Sequence, residues 1–230
     1  MAGVSRLQYT TEIRLIRVMC SGRVDLEFVL RAFSNGMDGV FIGGCRLNEC
    51  NYITQGNYDA LSMVLLCRKI MEHIGLNPER LRIEFMSSGE GTLFTEVTND
   101  FVKKVKELGP LGKGEGIEEN GLKLKLEAAT KLIPYIKLVE REKLRVPTRS
   151  EEAYRAFYNS DDLNRLFSEL VLDKLAISQI TSLLRQRPLS TGEIAETLGL
   201  TPSEASKHLT SSSRQGLVRY DEGQKCYALA

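Results

Sequence analysis

No stretch of the 230 residues approaches the ~20 consecutive apolar residues of a membrane-spanning helix, and the opening MAGVSRLQYTTEIRLIR lacks the apolar segment of a secretory signal. The expected location is the cytoplasm. Charge of one sign is equally scarce: 31 basic and 30 acidic side chains leave a net charge of +1. Residues 1–109 carry 13 of each, residues 110–159 carry 10 basic and 8 acidic, and residues 160–230 carry 8 and 9. No segment has the basic excess that usually marks a nucleic-acid surface. A Gly-Lys-Ser/Thr phosphate loop is missing, and Gly43-Gly44-Cys45 is too short for a dinucleotide fingerprint. The only histidines, His73 and His208, have no acid or nucleophile nearby in sequence, and each reads as a surface or capping residue. These absences argue against a self-contained hydrolase or kinase.

What is present is cysteine, five in all, with three inside residues 17–52. An odd count without an export signal points to metal binding or redox chemistry before a disulfide framework. Ile13, Leu15, Ile16 and Val18 lead into Cys20 as one strand, and Val40, Phe41 and Ile42 lead through two glycines into Cys45 as another. Between them, Leu26, Phe28, Val29, Leu30 and Phe33 follow a helical period that Asn35-Gly36 stops. A strand, helix, strand unit puts both strand ends on one edge of a parallel sheet, so Cys20, Cys45 and Cys50 are expected to converge. Three converging thiols suit an iron-sulfur cluster, a zinc ion or a redox dithiol, and equally describe buried small hydrophobes. Cys20 precedes a helix start, whose amides would favour its thiolate. Cys67 falls on the apolar face of a helix and Cys226 in a final strand, both as packing residues.

Further along, residues 57–76 form a helix ended by Gly75, residues 81–86 a third strand, and residues 93–108 a helix closed by Gly109-Pro110. The expected class is α/β, with a small doubly wound, flavodoxin- or Rossmann-like parallel sheet in residues 1–112, followed by a mostly α winged helix-turn-helix domain. Residues 113–149 read as linker and helical segment, beginning in the Gly-rich LGPLGKGEGIEENG and alternating briefly before turning helical, with Pro134 either a kink or a start. Residues 150–230 read as the second domain: helices over 161–176 and 177–186, a further helix pair, and a hairpin.

The order CSGRVD, GGC, four residues, Cys and then Tyr, GNY, NPERLR, and a strand running into Ser-x-Glu-Gly-like sequence resembles the delta (iron-sulfur) subunit of methyl-viologen-reducing hydrogenases over residues 2–112. The resemblance implies a 2Fe-2S protein that relays electrons between a hydrogenase or other donor and a heterodisulfide-reductase-type complex, with Cys20, Cys45 and Cys50 on family cysteines. Family members usually have another strand and a Cys-x-x-Cys segment upstream, and histidines where this chain has Arg46 and Asn51. The resemblance thus implies an incomplete ligand set, and the expectation is that the true start lies upstream of Met1.

From Lys174 onward the chain resembles a winged helix-turn-helix, with Ala195 inside the first helix, Gly199 at the bend and Pro202 in the first turn of the second. The second helix would present Ser203, Ser206, Lys207, Thr210 and Ser211. For DNA, the available cations are Lys207, Arg214, Arg219 and Lys225. The near-neutral balance favours protein docking by a small margin. The rival to the electron relay is a redox-responsive regulator in which the cysteine site governs DNA binding.

Overall fold

The computed structural model describes residues 7–52 and 56–230, which divide into two compact units: Met1–Ile117 with Val146–Ser160, and Glu118–Arg145 with Asp161–Ala230. The first is a mixed helix and strand unit, the second almost entirely helical.

In the first unit, a 3-10 turn at Ser21–Arg23 leads to α1 (Leu26–Ser34), whose start is capped by the Asp25 side chain accepting from the Glu27 amide at 3.1 Å. Leu26, Val29, Leu30 and Phe33 are its buried face. Strand β1 (Val40–Gly44) follows, then α2 (Asn57–Ile74), β2 (Leu81–Phe85) and α3 (Gly91–Leu108). β1 and β2 pair in parallel from Val40 opposite Leu81 to Gly44 opposite Phe85, with α2 as the crossover. α2 is the buried axis of the unit: Leu61, Val64, Leu66, Cys67, Ile70, Met71 and Ile74 are all sealed from solvent. Gly75, at φ 85°, ends it in the left-handed turn that frees the Leu76 amide to bond Met71 at 2.8 Å. β1 meets α3 closely because Gly39 has no Cβ, which would fall 2.6 Å from Val105. α6 (Glu151–Tyr158) also belongs here, through Tyr154 stacked near Tyr58 and the Tyr158 hydroxyl 2.8 Å from Ser62.

The strand expected over residues 12–19 does not form, and the sheet has two strands among the described residues, so a doubly wound arrangement is not reached. The segment enters no ladder, and Leu15, Ile16 and Met19 are 70%, 83% and 85% exposed. Apolar alternation sets only the preference for a strand, and the pairing itself needs a neighbour.

Arg80, fully buried, holds the far end of this unit. Its guanidinium donates to the carbonyls of Asp38 (3.0 Å), Gly109 (2.8 Å) and Leu108 (3.2 Å) and to both oxygens of Glu115 (2.5 and 3.1 Å). One side chain thus ties the entry to β1 to the end of α3.

In the second unit, α4 (Glu119–Lys131) and α5 (Ile133–Lys143) are the helical segment that follows the Gly-rich turns of residues 110–116, and Pro134 marks the start of α5 rather than a kink. α7 (Asp161–Phe167) runs through a π-helical turn at Ser168–Leu172 into α8 (Asp173–Leu184), so the break expected after residue 176 is absent and the irregularity lies earlier. α4 packs on α8, where Ser178 donates to the Ala128 carbonyl at 3.1 Å. α9 (Thr191–Leu198), α10 (Pro202–Arg214) and the hairpin β3 (Val218–Asp221) and β4 (Cys226–Leu229) complete it. Capping boxes at Ser190 with Glu193 and Thr201 with Glu204 start both helices, and Gly199 at φ 69° makes the bend between them. Ile180, Leu184, Ile194, Leu198, Leu209 and Val218 share the core. Leu189 pairs with Tyr227, adding a third extended segment beside the hairpin. No helix is long and apolar enough to cross a membrane among the described residues.

Candidate functional site

Three thiols meet where β1 ends. Cys20 opens the 3-10 turn, Cys45 follows Gly44, and Cys50 lies in the loop that returns to α2. The Cys20 and Cys50 sulfurs are 4.0 Å apart, and Cys50 also interacts with the Cys45 thiol. Two glycines permit the approach. A Cβ on Gly44 would lie 2.9 Å from the Ser21 hydroxyl, and one on Gly56 would lie 2.6 Å from the Cys50 sulfur and 2.4 Å from the Tyr52 carbonyl.

Asn57, 2% exposed at the first turn of α2, organises the loop. Its side-chain amide donates to the carbonyls of Cys45 (3.0 Å) and Arg46 (2.8 Å) and lies 3.6 Å from the Cys45 sulfur. The Tyr58 hydroxyl sits 2.9 Å from the Asn48 side chain, which turns the chain at φ 70°. Arg46 reaches across the strand ends to pair with Glu90, which also accepts from the Ser87 amide at 2.6 Å. Where the resemblance led to expect a histidine, Arg46 thus serves as a strut between two loops.

The electrostatics separate the three sulfurs. At Cys50, burial opposes charge, but the amides of Tyr52 and Asn57 and the flanking thiols outweigh it and hold the pKa below the ordinary thiol value. At Cys20, burial pushes the thiol up, reinforced by Cys50 and the Asp59 carboxylate against the Gly22 amide. Burial likewise raises Cys45, with Cys50 next. Each sulfur feels a backbone amide, but only at Cys50 do two amides and the flanking thiols together outweigh burial, so Cys50 is the one of the three whose pKa is lowered. This runs against the expectation for Cys20, where burial outweighs the Gly22 amide; the lowered thiol is Cys50, which meets the amide of Asn57, the first residue of α2. Cys67 lies in the core, its thiol pushed up to about 12 by burial, and Cys226 is buried in β4.

Sequence reasoning missed Asn57, Gly56 and the Arg46–Glu90 pair; a Gly-Asn pair directly before an apolar helical run was the available signal for the first two. Among the described residues, no group of three or more His, Cys, Asp or Glu side chains is arranged to hold a single metal ion.

In the second unit, α10 exposes Ser203, Ser206, Lys207, Thr210 and Arg214 along a shallow groove. Lys207 lies 3.5 Å from Asp173, so part of its charge is already answered. Arg219 and Lys225 are exposed on the hairpin. His208 is not a surface residue: it is 8% exposed, with its pKa lowered by burial and its Nδ1 3.9 Å from Asp173.

Residues 178–220 match the model for bacterial regulatory proteins of the arsR family, and residues 1–109 match that for the methyl-viologen-reducing hydrogenase delta subunit. The chain is 47% identical over 112 residues to a subunit of the ferredoxin/F420H2-dependent CoB-CoM heterodisulfide reductase of Methanosarcina acetivorans, covering 49% of this chain but only 14% of that protein. It is 44% identical over 110 residues to the iron-sulfur subunit of the F420-non-reducing hydrogenase of Archaeoglobus profundus, covering 48% of this chain and 80% of that one. The corresponding iron-sulfur protein of Methanococcus voltae is 45% identical over 109 residues, or 47% of this chain and 75% of its own length. With its three thiols, its parallel strand pair and four-fifths of a hydrogenase iron-sulfur subunit matched, the chain belongs to the methyl-viologen-reducing hydrogenase delta subunit family.

Proposed function

We propose that this chain is an electron-transfer subunit of a hydrogenase or heterodisulfide-reductase-type complex, working through a 2Fe-2S cluster at Cys20, Cys45 and Cys50. The observation that carries the reading is the meeting of these thiols inside the segment shared with the iron-sulfur subunits. Their chemistry suits the group, because thiolate sulfur is what such clusters take and Cys50 is held toward that form. Their number falls one short of the four ligands that such a cluster takes. When bound, the cluster supplies one-electron storage. The chain's own part is to aim the Tyr52 and Asn57 amides at sulfur, fix the Cys45 loop through Asn57, and keep Cys45 exposed where a partner can approach.

Anaerobic reconstitution of the full chain with ferrous iron and sulfide tests this, with and without hydrogenase and heterodisulfide reductase subunits. Iron content and electron paramagnetic resonance of the reduced sample are the readouts. The chain alone should load poorly and load fully with its partners, and Cys20→Ser, Cys45→Ser and Cys50→Ser should each abolish the signal. An unchanged signal in all three variants would overturn the reading. A second reading, a redox-responsive regulator, draws support from the arsR-type match and the hydroxyl-rich face of α10. Sequence-specific, salt-sensitive retention of DNA by the full chain would put it first.

A further inference from the structure

The same three sulfurs are unequal in a way that cluster ligation does not require. Cys50 accepts from two backbone amides, and its sulfur lies 4.0 Å from that of Cys20. A disulfide spans about 2.05 Å, so closure needs a movement of about 2 Å. Neither cysteine lies inside a helix or a strand ladder: Cys20 stands just before the 3-10 turn and Cys50 in the loop that leads to α2. Cys45 directly follows β1, with its carbonyl accepting from Asn57 and its sulfur 3.6 Å from the same side-chain amide.

We infer that, in the cluster-free chain, Cys50 and Cys20 form a reversible dithiol-disulfide pair that reacts with low-molecular-weight disulfides. The Cys50 sulfur attacks one sulfur of the small disulfide, whose S–S bond breaks, and the departing thiolate takes up a proton. The Cys20 thiol then loses its proton, and its sulfur attacks Cys50 Sγ and expels the second small thiolate, which is protonated in turn. Two protein thiols are oxidised by two electrons and one small disulfide is reduced to two thiols. The bridge consumes two of the three sulfurs offered to iron, so the oxidised chain cannot accept a cluster until it is reduced. Thiol redox state would thereby decide when the site can be loaded.

The test uses the metal-free full chain, exposed anaerobically to glutathione disulfide, quenched in acid, alkylated and mapped by mass spectrometry. The expected product is one cross-linked peptide pair holding Cys20 and Cys50, with Cys45 still free to alkylate. Cys45→Ser should form the same bridge, whereas Cys20→Ser should stop at glutathione on Cys50. A Cys45–Cys50 bridge, glutathione alone on the wild-type chain, or no reaction would each overturn the inference. Iron loading of the fully reduced chain with its partners is scored separately. Failure to load there sinks the cluster reading and leaves the disulfide standing, and normal loading without a Cys20–Cys50 bridge does the reverse.

Discussion

Replacing Gly56 by alanine should damage the thiol site at its source. The new Cβ would sit 2.4 Å from the Tyr52 carbonyl oxygen and 2.6 Å from the Cys50 sulfur, and one of these contacts is backbone, so no side-chain rotation relieves both. Each neighbour must retreat by about 1 Å, and overpacking of this kind costs about 1–3 kcal/mol. Alanine is also a poorer helix N-cap than glycine, which adds to the loss at the start of α2. About 2 kcal/mol in all corresponds to roughly a 30-fold shift in the folding equilibrium, readable as a lower urea midpoint by circular dichroism. The retreat also takes Cys50 away from the Asn57 amide, so alkylation of Cys50 near neutral pH should slow while that of Cys45 does not. Gly89→Ala is the control, since nothing lies within 4 Å of its added carbon. A Gly56→Ala protein as stable as the control, with Cys50 as reactive as before, would refute the claim that this glycine seats the sulfur on the helix.

Truncating Arg80 to alanine strands the Glu115 carboxylate and several carbonyls inside the first unit, and should cost about 3–5 kcal/mol in urea unfolding. Burial opposes the charge on Glu115, but Arg80 and the Asn77 and Gly112 amides hold its pKa below the ordinary carboxylate value. The stability this pair contributes is therefore complete above that ordinary value and is lost as pH falls through the lowered one, which acid titration of wild type against Glu115→Gln would trace. Native alkylation should leave Cys67 unlabelled, because its buried thiol is pushed up to about 12, and unfolding should expose it to mass-spectrometric detection. If α10 reads DNA, Arg214→Ala and Arg219→Ala should weaken gel-shift retention and flatten its salt dependence, while Lys207→Ala, already paired with Asp173, should do less.

Local signals were legible and non-local ones were not. Asn35-Gly36, Gly75 and Gly199 announce their helix ends through chemistry confined to a few residues. The apolar runs at residues 40–44 and 81–85 became strands because each had the other. Residues 12–19 carry a similar run and no partner, so the pattern alone overcalled a strand. Cys20 and Cys50 meet as expected, but not for the expected reason: residues 12–19 form no strand, and the approach is made by the turn after Cys20 and the loop that holds Cys50 before Gly56. Arg80 reads as one more surface cation until Glu115, 35 residues away, is known to meet it. The placement of α6 likewise depends on Tyr158 finding Ser62 across 96 residues.

The division of the chain has a genetic consequence. The polypeptide passes from the first unit to the second after Ile117, returns at Val146, and leaves again after Ser160. Neither unit is therefore an uninterrupted stretch of gene. A coding sequence stopped after residue 117 would make the thiol-bearing unit without α6, leaving Tyr58 and Ser62 without their tyrosine neighbours. One begun at residue 146 would make the winged helix without α4, the helix packed along α8. Clean end-to-end joining at either crossing therefore cuts contacts that one of the two units uses.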